Sequence, residues 1–281
     1  MAGTGISAGL LSLLPGGGGS LLSTLYGFGT TQGGASTRSD PLLALRLAQT
    51  NRTRELATTA REPEIARDVR AFREAVAKAT TPEEALANPA VLKVLLTANG
   101  LADQVPYTAL AKRVLLSDPA DGNSLVNKLA NTRWTSAVKS MEFATKGLDV
   151  LRDPQVLTTL ADGFVEVSWR KALEKSTPGL SDALDFRERA ASFTSALGIL
   201  GDPVLRRVVT TTLGIPKEIA FQELNAQERA ITTRLDVKRL QEPRFVDIFS
   251  QRYLLEAQKS AAQGTASDLI SLAVQSRSFF A

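Results

Sequence analysis

The stretch from Asp202 to Leu255 carries the densest helix punctuation in the chain, and it constrains most strongly what the chain can fold into. Asp202 can accept hydrogen bonds from the unpaired N–H groups of a first helical turn, and Pro203 follows where a missing N–H costs nothing. Gly214 supplies the left-handed residue that ends the helix. Glu242-Pro243 opens another helix in the same way, with Glu a weaker cap than Asp.

The same grammar recurs upstream, in Glu62-Pro63, in Thr81-Pro82-Glu83-Glu84, in Asn88-Pro89 running to Gly100, and in Asp153-Pro154. Between these marks apolar residues return at spacings of three and four, as in Ile65, Val69, Phe72 and Val76, and no segment shows strand alternation. The expectation is an all-α, multi-helix domain over residues 39–256, after a leader over 1–38 and before a C-terminal helical tail over 257–281.

Within that domain, one helix is predicted to carry Leu125, Leu129, Trp134, Val138 and Met141. Another is predicted to carry Phe186, Ala190, Phe193, Leu197 and Leu200 into the organising stretch. After Tyr253 the periodicity weakens through Gln263-Gly264-Thr265 and recovers at Leu269, Ile270 and Leu272.

Several chemistries are excluded by what is missing. The chain has no Cys and no His, so it can form no disulfide, no thiolate or imidazole metal site, no Ser–His–Asp or Cys–His nucleophile system and no imidazole pH switch. The formal charge of +4 comes from 33 cationic and 29 anionic side chains mixed along the sequence, with only isolated doublets such as Arg206-Arg207 and Lys238-Arg239. A phosphate-binding surface needs a clustered basic stripe with stacking partners, so nucleic-acid binding is not expected. Asp182 with Asp185, or Glu223 with Glu228, could form a carboxylate pair for acid–base work, but such residues at helical surface spacing are ordinarily solvated. No catalytic, cofactor or metal residue is assigned, and no cofactor is expected. The segment Ser117-Asp118-Pro119-Ala120-Asp121-Gly122-Asn123-Ser124 lacks the ligand spacing of a calcium loop and reads as a turn.

Met1 to Thr37 contains no charged side chain and includes Gly16-Gly17-Gly18-Gly19-Ser20. Glycine at this density costs too much backbone entropy to order unaided. No Lys or Arg precedes the apolar run Leu10 to Leu14, and the run is too short to span a membrane, so neither a cleaved hydrophobic signal nor membrane insertion is expected. A disordered leader and a type III export signal are the two readings that stand.

Residues 88–101 align without gaps on residues 202–215, with cap, proline, basic residue, central valine, threonine and C-terminal glycine coinciding. About thirty residues later, Arg133-Trp134 with Val138 corresponds to Arg244-Phe245 with Phe249. Two related halves, 39–150 and 151–256, are one reading. Chance reuse of helix caps is the other.

The ordered set formed by Ala87-Asn88-Pro89 through Gly100-Leu101, Leu115-Leu116-Ser117-Asp118-Pro119 to Phe143, and Leu213-Gly214-Ile215-Pro216 through Arg234-Leu235-Asp236 to Pro243-Arg244-Phe245 resembles the bacterial family catalogued as domain of unknown function 1217. The resemblance implies a helical protein encoded in flagellar gene clusters, and it brings no catalytic residues. It leads us to expect a non-enzymatic structural or accessory protein that contacts flagellar proteins, or copies of itself, and is exported by the flagellar type III system. A cytoplasmic adaptor or chaperone is the alternative. The candidate contact residues are Leu10, Leu11, Leu13, Leu14, Tyr26 and Phe28 in the leader, and Leu269, Ile270, Leu272, Phe279 and Phe280 at the other end.

Overall fold

Seven of the chain's 12 prolines are the first residue of a helix, so proline here starts helices and does not interrupt them. The computed structural model describes residues 40–129 and 131–278, with side chains described through residue 263. The helices are α1 (Pro41–Thr59), α2 (Pro63–Lys78), α3 (Pro82–Ala87), α4 (Pro89–Ala98), α5 (Thr108–Leu115), α6 (Thr132–Met141), α7 (Pro154–Ser176), α8 (Leu180–Arg189), α9 (Ala196–Gly201), α10 (Pro203–Thr212), α11 (Leu224–Thr232) and α12 (Pro243–Ser278). One-turn helices at Leu125–Lys128, Phe143–Lys146 and Asp149–Arg152 and short 3-10 turns complete the path. No strand occurs among the described residues, as the periodicity predicts.

The caps act locally. Side chains of Asp40, Thr81, Asn88, Asp153 and Asp202 each accept a backbone N–H from the first turn that follows, and Glu62 does not. The aligned helices α4 and α10 are equal in length at 10 residues. Their ends close alike: Gly100 and Gly214 have φ of +71° and +62°, and the N–H groups of Leu101 and Ile215 reach back to Leu96 and Thr210 at 2.8 and 2.9 Å. That five-residue reach around a left-handed glycine is a Schellman closure.

The buried side chains form two clusters. One joins α2 to α6 and the one-turn helices to Leu160 and Phe164 of α7. The other gathers α8, α9, α10 and the inner face of α12, together with Leu45 of α1. Helix α7 runs from the first to the second, where its Leu173 packs. Near its middle it presses on α4, where a Cβ added to Gly163 would stand 3.1 Å from Ala98 Cβ.

Three expectations need correction. The predicted helix through Leu125 and Met141 breaks, because Asn131 accepts the Arg133 N–H and starts α6 anew. The predicted helix from Phe186 to Leu200 also breaks, into α8, a 3-10 turn at Ala190–Ser192 and α9, whose N-cap Ser195 accepts the Gly198 N–H at 3.1 Å. Helix α12 runs without a break across the expected boundary at residues 256 and 257, since one interior glycine costs a helix only about 1 kcal/mol. It is also anchored beyond that boundary, by Gln258 donating to the Pro178 carbonyl at 2.8 Å and by Ala257 lying against Gly179.

Gly179 is held at φ +86°, and an added Cβ would lie 2.7 Å from Ala257 Cβ. Gly179→Ala therefore combines left-handed strain of about 1–2 kcal/mol with overpacking of about 1–3 kcal/mol. Gly214→Ala, where an added Cβ meets nothing within 4 Å, should show the strain alone. Urea unfolding of the two variants should rank Gly179→Ala as the more destabilising.

Candidate functional site

Helix α6 buries the face formed by Arg133, Trp134, Ala137, Val138 and Met141, and so carries a guanidinium into the interior. Arg133 Nε and Nη2 donate to the two carboxylate oxygens of Asp202 at 3.0 and 3.2 Å, a bidentate pair. Nη2 also reaches Asp185 at 2.5 Å, and Nη1 donates to the Gly100 carbonyl at 3.2 Å. One side chain thus joins the C-terminal end of α4 to the N-cap of α10 and to α8. Arg133 thus faces the carbonyl end of α4 and Asp202 the amide end of α10, the favourable pole of each helix dipole.

Asp202 has no exposed surface, yet both its oxygens are used. Beyond Arg133 it accepts the Val204 and Leu205 N–H groups at 2.9 and 3.0 Å and Arg189 Nη1 at 2.6 Å. Burial alone would raise its pKa, but Arg133, Arg189 and the Leu205 N–H outweigh burial and hold the carboxyl below its ordinary range. Burial likewise opposes the charge on Arg133, and Asp185 and Asp202 more than restore it.

The network extends outward. Arg170 donates to Asp185 at 2.8 Å and stands 3.5 Å from Glu166, which Arg52 approaches at 2.9 Å, and Arg52 also pairs with Glu188 at 3.2 Å. Four guanidinium groups therefore face four carboxylates: Arg52, Arg133, Arg170 and Arg189 against Glu166, Asp185, Glu188 and Asp202. All of them except the fully buried Asp202 line a cleft of about 870 Å³ whose walls include Ala57, Ala98 and Gly163, with the exposed Asp162 also lining it. A second cluster lies nearby, where Asp182 accepts from Arg207 and from the Tyr253 hydroxyl, the latter at 2.9 Å. Burial and then the Asp182 charge push the Tyr253 phenol well above its usual range.

The two carboxylates weighed as an acid–base pair are thus engaged separately, Asp182 by Arg207 and Tyr253 and Asp185 by three arginines. Glu223 is an exposed N-cap of α11 that makes no capping bond. No cluster of three carboxylates suited to a metal ion occurs among the described residues. The turn at 117–124 is built by Asp118 and Asp121 accepting the N–H groups of Ala120 and Asn123.

Leu10, Leu11, Leu13, Leu14, Tyr26, Phe28, Phe279 and Phe280 lie outside the described residues. Leu269, Ile270 and Leu272 belong to α12, with side chains outside those described. The charged clasp itself was not anticipated from the sequence, although one signal was present: Arg133, Ala137 and Met141 share a helical stripe, which places an arginine on an apolar face.

These features define an all-α protein with two buried clusters joined by a charge-balanced clasp. The chain belongs to the family described as "Protein of unknown function (DUF1217)", whose model matches residues 98–246, just over half of the chain. Every member of the clasp except Arg52 lies within that span. The fold is similar to the crystal structure of protein AGR_C_984 from Agrobacterium tumefaciens, with a TM-score of 0.68 at 22% identity, over 81% of this chain and 96% of that one. No curated protein matches the chain.

Removing Arg133 leaves Asp185 and Asp202 buried without their main partner, so Arg133→Met should lower stability by about 3–5 kcal/mol. Because the folded-state pKa of Asp202 is depressed, its contribution is present above about pH 3.9, the unfolded value, and is lost as pH falls through the folded value. Asp202→Asn keeps an N-cap acceptor but no longer titrates. Its unfolding free energy should be lower at neutral pH and should fall less steeply below about pH 4 than that of the parent chain.

Proposed function

We propose that this protein is a non-enzymatic structural or accessory component associated with the bacterial flagellum, exported by the flagellar type III system and acting through protein–protein contacts. The observation that carries the non-enzymatic reading is the cleft floor, where Arg52, Arg133, Arg170 and Arg189 are each already paired with a carboxylate. Exposed large apolar side chains support the contact reading: Phe221 is 90% and Ile248 66% exposed. Phe221 is presented on a braced turn, since the Gln227 side-chain amide donates to the Gln222 carbonyl at 2.8 Å and to that of Ala220 at 3.4 Å. The absence of Cys and the charge-free first 37 residues suit export of an unfolded chain. The flagellar assignment itself comes from the sequence resemblance.

No helix among the described residues is long and apolar enough to cross a membrane. The deciding experiment is fractionation of cells, culture fluid and purified flagella in strains with and without a working flagellar export apparatus. The expected result is export-dependent appearance of the intact chain outside the cytoplasm, abolished by deletion of residues 1–36. Retention of the intact chain in the cytoplasm would replace this reading with that of an adaptor or chaperone.

A further inference from the structure

Helix α12 is amphipathic toward the domain and carries a second pattern on its outer face. Val246, Phe249, Ser250, Tyr253 and Leu254 are buried. On the opposite side Arg244, Ile248, Arg252, Leu255 and Lys259 are all exposed, at successive spacings of four, four, three and four. At about 100° per residue these five fall within an arc of about 80°, a straight stripe over four turns. Ile248 and Leu255, one heptad apart, are 66% and 41% exposed. Lys259 pairs with Glu256 at 2.9 Å, while Arg244 and Arg252 make no ion pair among the described residues. The other carboxylate in this part of the helix, Asp247, is held by Arg187 and by Gln251.

We propose that this stripe is a docking surface for an amphipathic helix of another protein whose apolar positions are flanked by carboxylates. Charge selects that occupant. A second copy of this chain laid stripe to stripe would oppose arginine with arginine, which is repulsive. The chain's own residues 1–37 carry no charged side chain and can neutralise neither Arg244 nor Arg252. An acidic helix satisfies both terms at once, seating its apolar positions against Ile248 and Leu255 while its carboxylates meet the flanking guanidinium groups. The inference deepens the reading as a contact protein and is independent of export, so a cytoplasmic location would leave it standing.

The test uses the full-length chain and two fluorescent synthetic peptides of equal length, each with leucines in heptad spacing, one flanked by glutamates and the other by lysines. Fluorescence anisotropy should show binding of the glutamate peptide that weakens as salt rises from about 50 to about 300 mM, and no binding of the lysine peptide. The double variant Ile248→Ser, Leu255→Ser alters only exposed positions and should weaken binding on the order of tenfold, with unchanged circular dichroism. Arg252→Glu should weaken it as well. Equal binding of both peptides, or binding unaffected by the double variant, would overturn the proposal. Self-association abolished by the double variant would assign the face to a second copy. Binding that appears only after deletion of residues 1–38 would assign it to the leader.

Discussion

Taking a guanidinium and a carboxylate out of water costs several kcal/mol for each ion, and Arg133 and Asp202 are both removed from it. Such a pair persists only where further polar groups complete its hydrogen bonding. Here Asp202 accepts five bonds: three from Arg133 and Arg189, and two from the N–H groups that open α10. Arg133 in turn needs the Gly100 carbonyl at the end of α4 and Asp185 on α8. Four helices must therefore be in place before the clasp can close. Since α4 belongs to the first buried cluster and α8 and α10 to the second, the clasp makes the formation of each conditional on the other. This coupling complements the continuous span of α7, whose Leu160 and Phe164 pack in the first cluster and whose Leu173 packs on the second.

The aligned segments show how a shared local pattern can reach different ends. Helices α4 and α10 share cap type, proline, length and closure, and the Arg133-Trp134 pair that follows the first resembles the Arg244-Phe245 pair that follows the second. Yet Gly100 faces the Arg133 guanidinium so closely that a methyl group there would collide with it, whereas nothing lies within 4 Å of a Cβ at Gly214. Arg244 stays exposed on the outer stripe of α12. The hydrogen-bonding symmetry of the helices thus stops at the arginines, one an internal strut and the other a surface charge.

That division also explains what the sequence could tell. Caps and closures were legible because they are settled within five or six residues, as in Asn88 to Ala90 or Ile215 to Thr210. The break before α9 was not legible from apolar spacing, because Phe193 and Leu200 keep helical periodicity while Ser195 restarts the hydrogen bonding between them. Leu45 lies far in sequence from the cluster it joins, and nothing local announces that. Trp134 and Arg133 read from the sequence as part of an echo. Only the approach of Asp202, 69 residues on, shows why an arginine can occupy a buried stripe.

The cleft above the clasp is large enough to invite a ligand, and its electrostatics argue against one. An incoming anion would have to compete with Glu166, Asp185, Glu188 and Asp202 for arginines they already hold, and a cation would have to compete with those arginines for the carboxylates. Breaking one such contact leaves a partly desolvated charge without its partner, a cost of a few kcal/mol that a small ligand must recover elsewhere. On the outer face of α12 the balance is reversed. Arg244 and Arg252 are hydrated and unpaired among the described residues, so a partner displaces water and breaks no internal bond. An interior that has satisfied its own charges directs recognition to the surface, where Ile248, Leu255 and the unpaired arginines remain available.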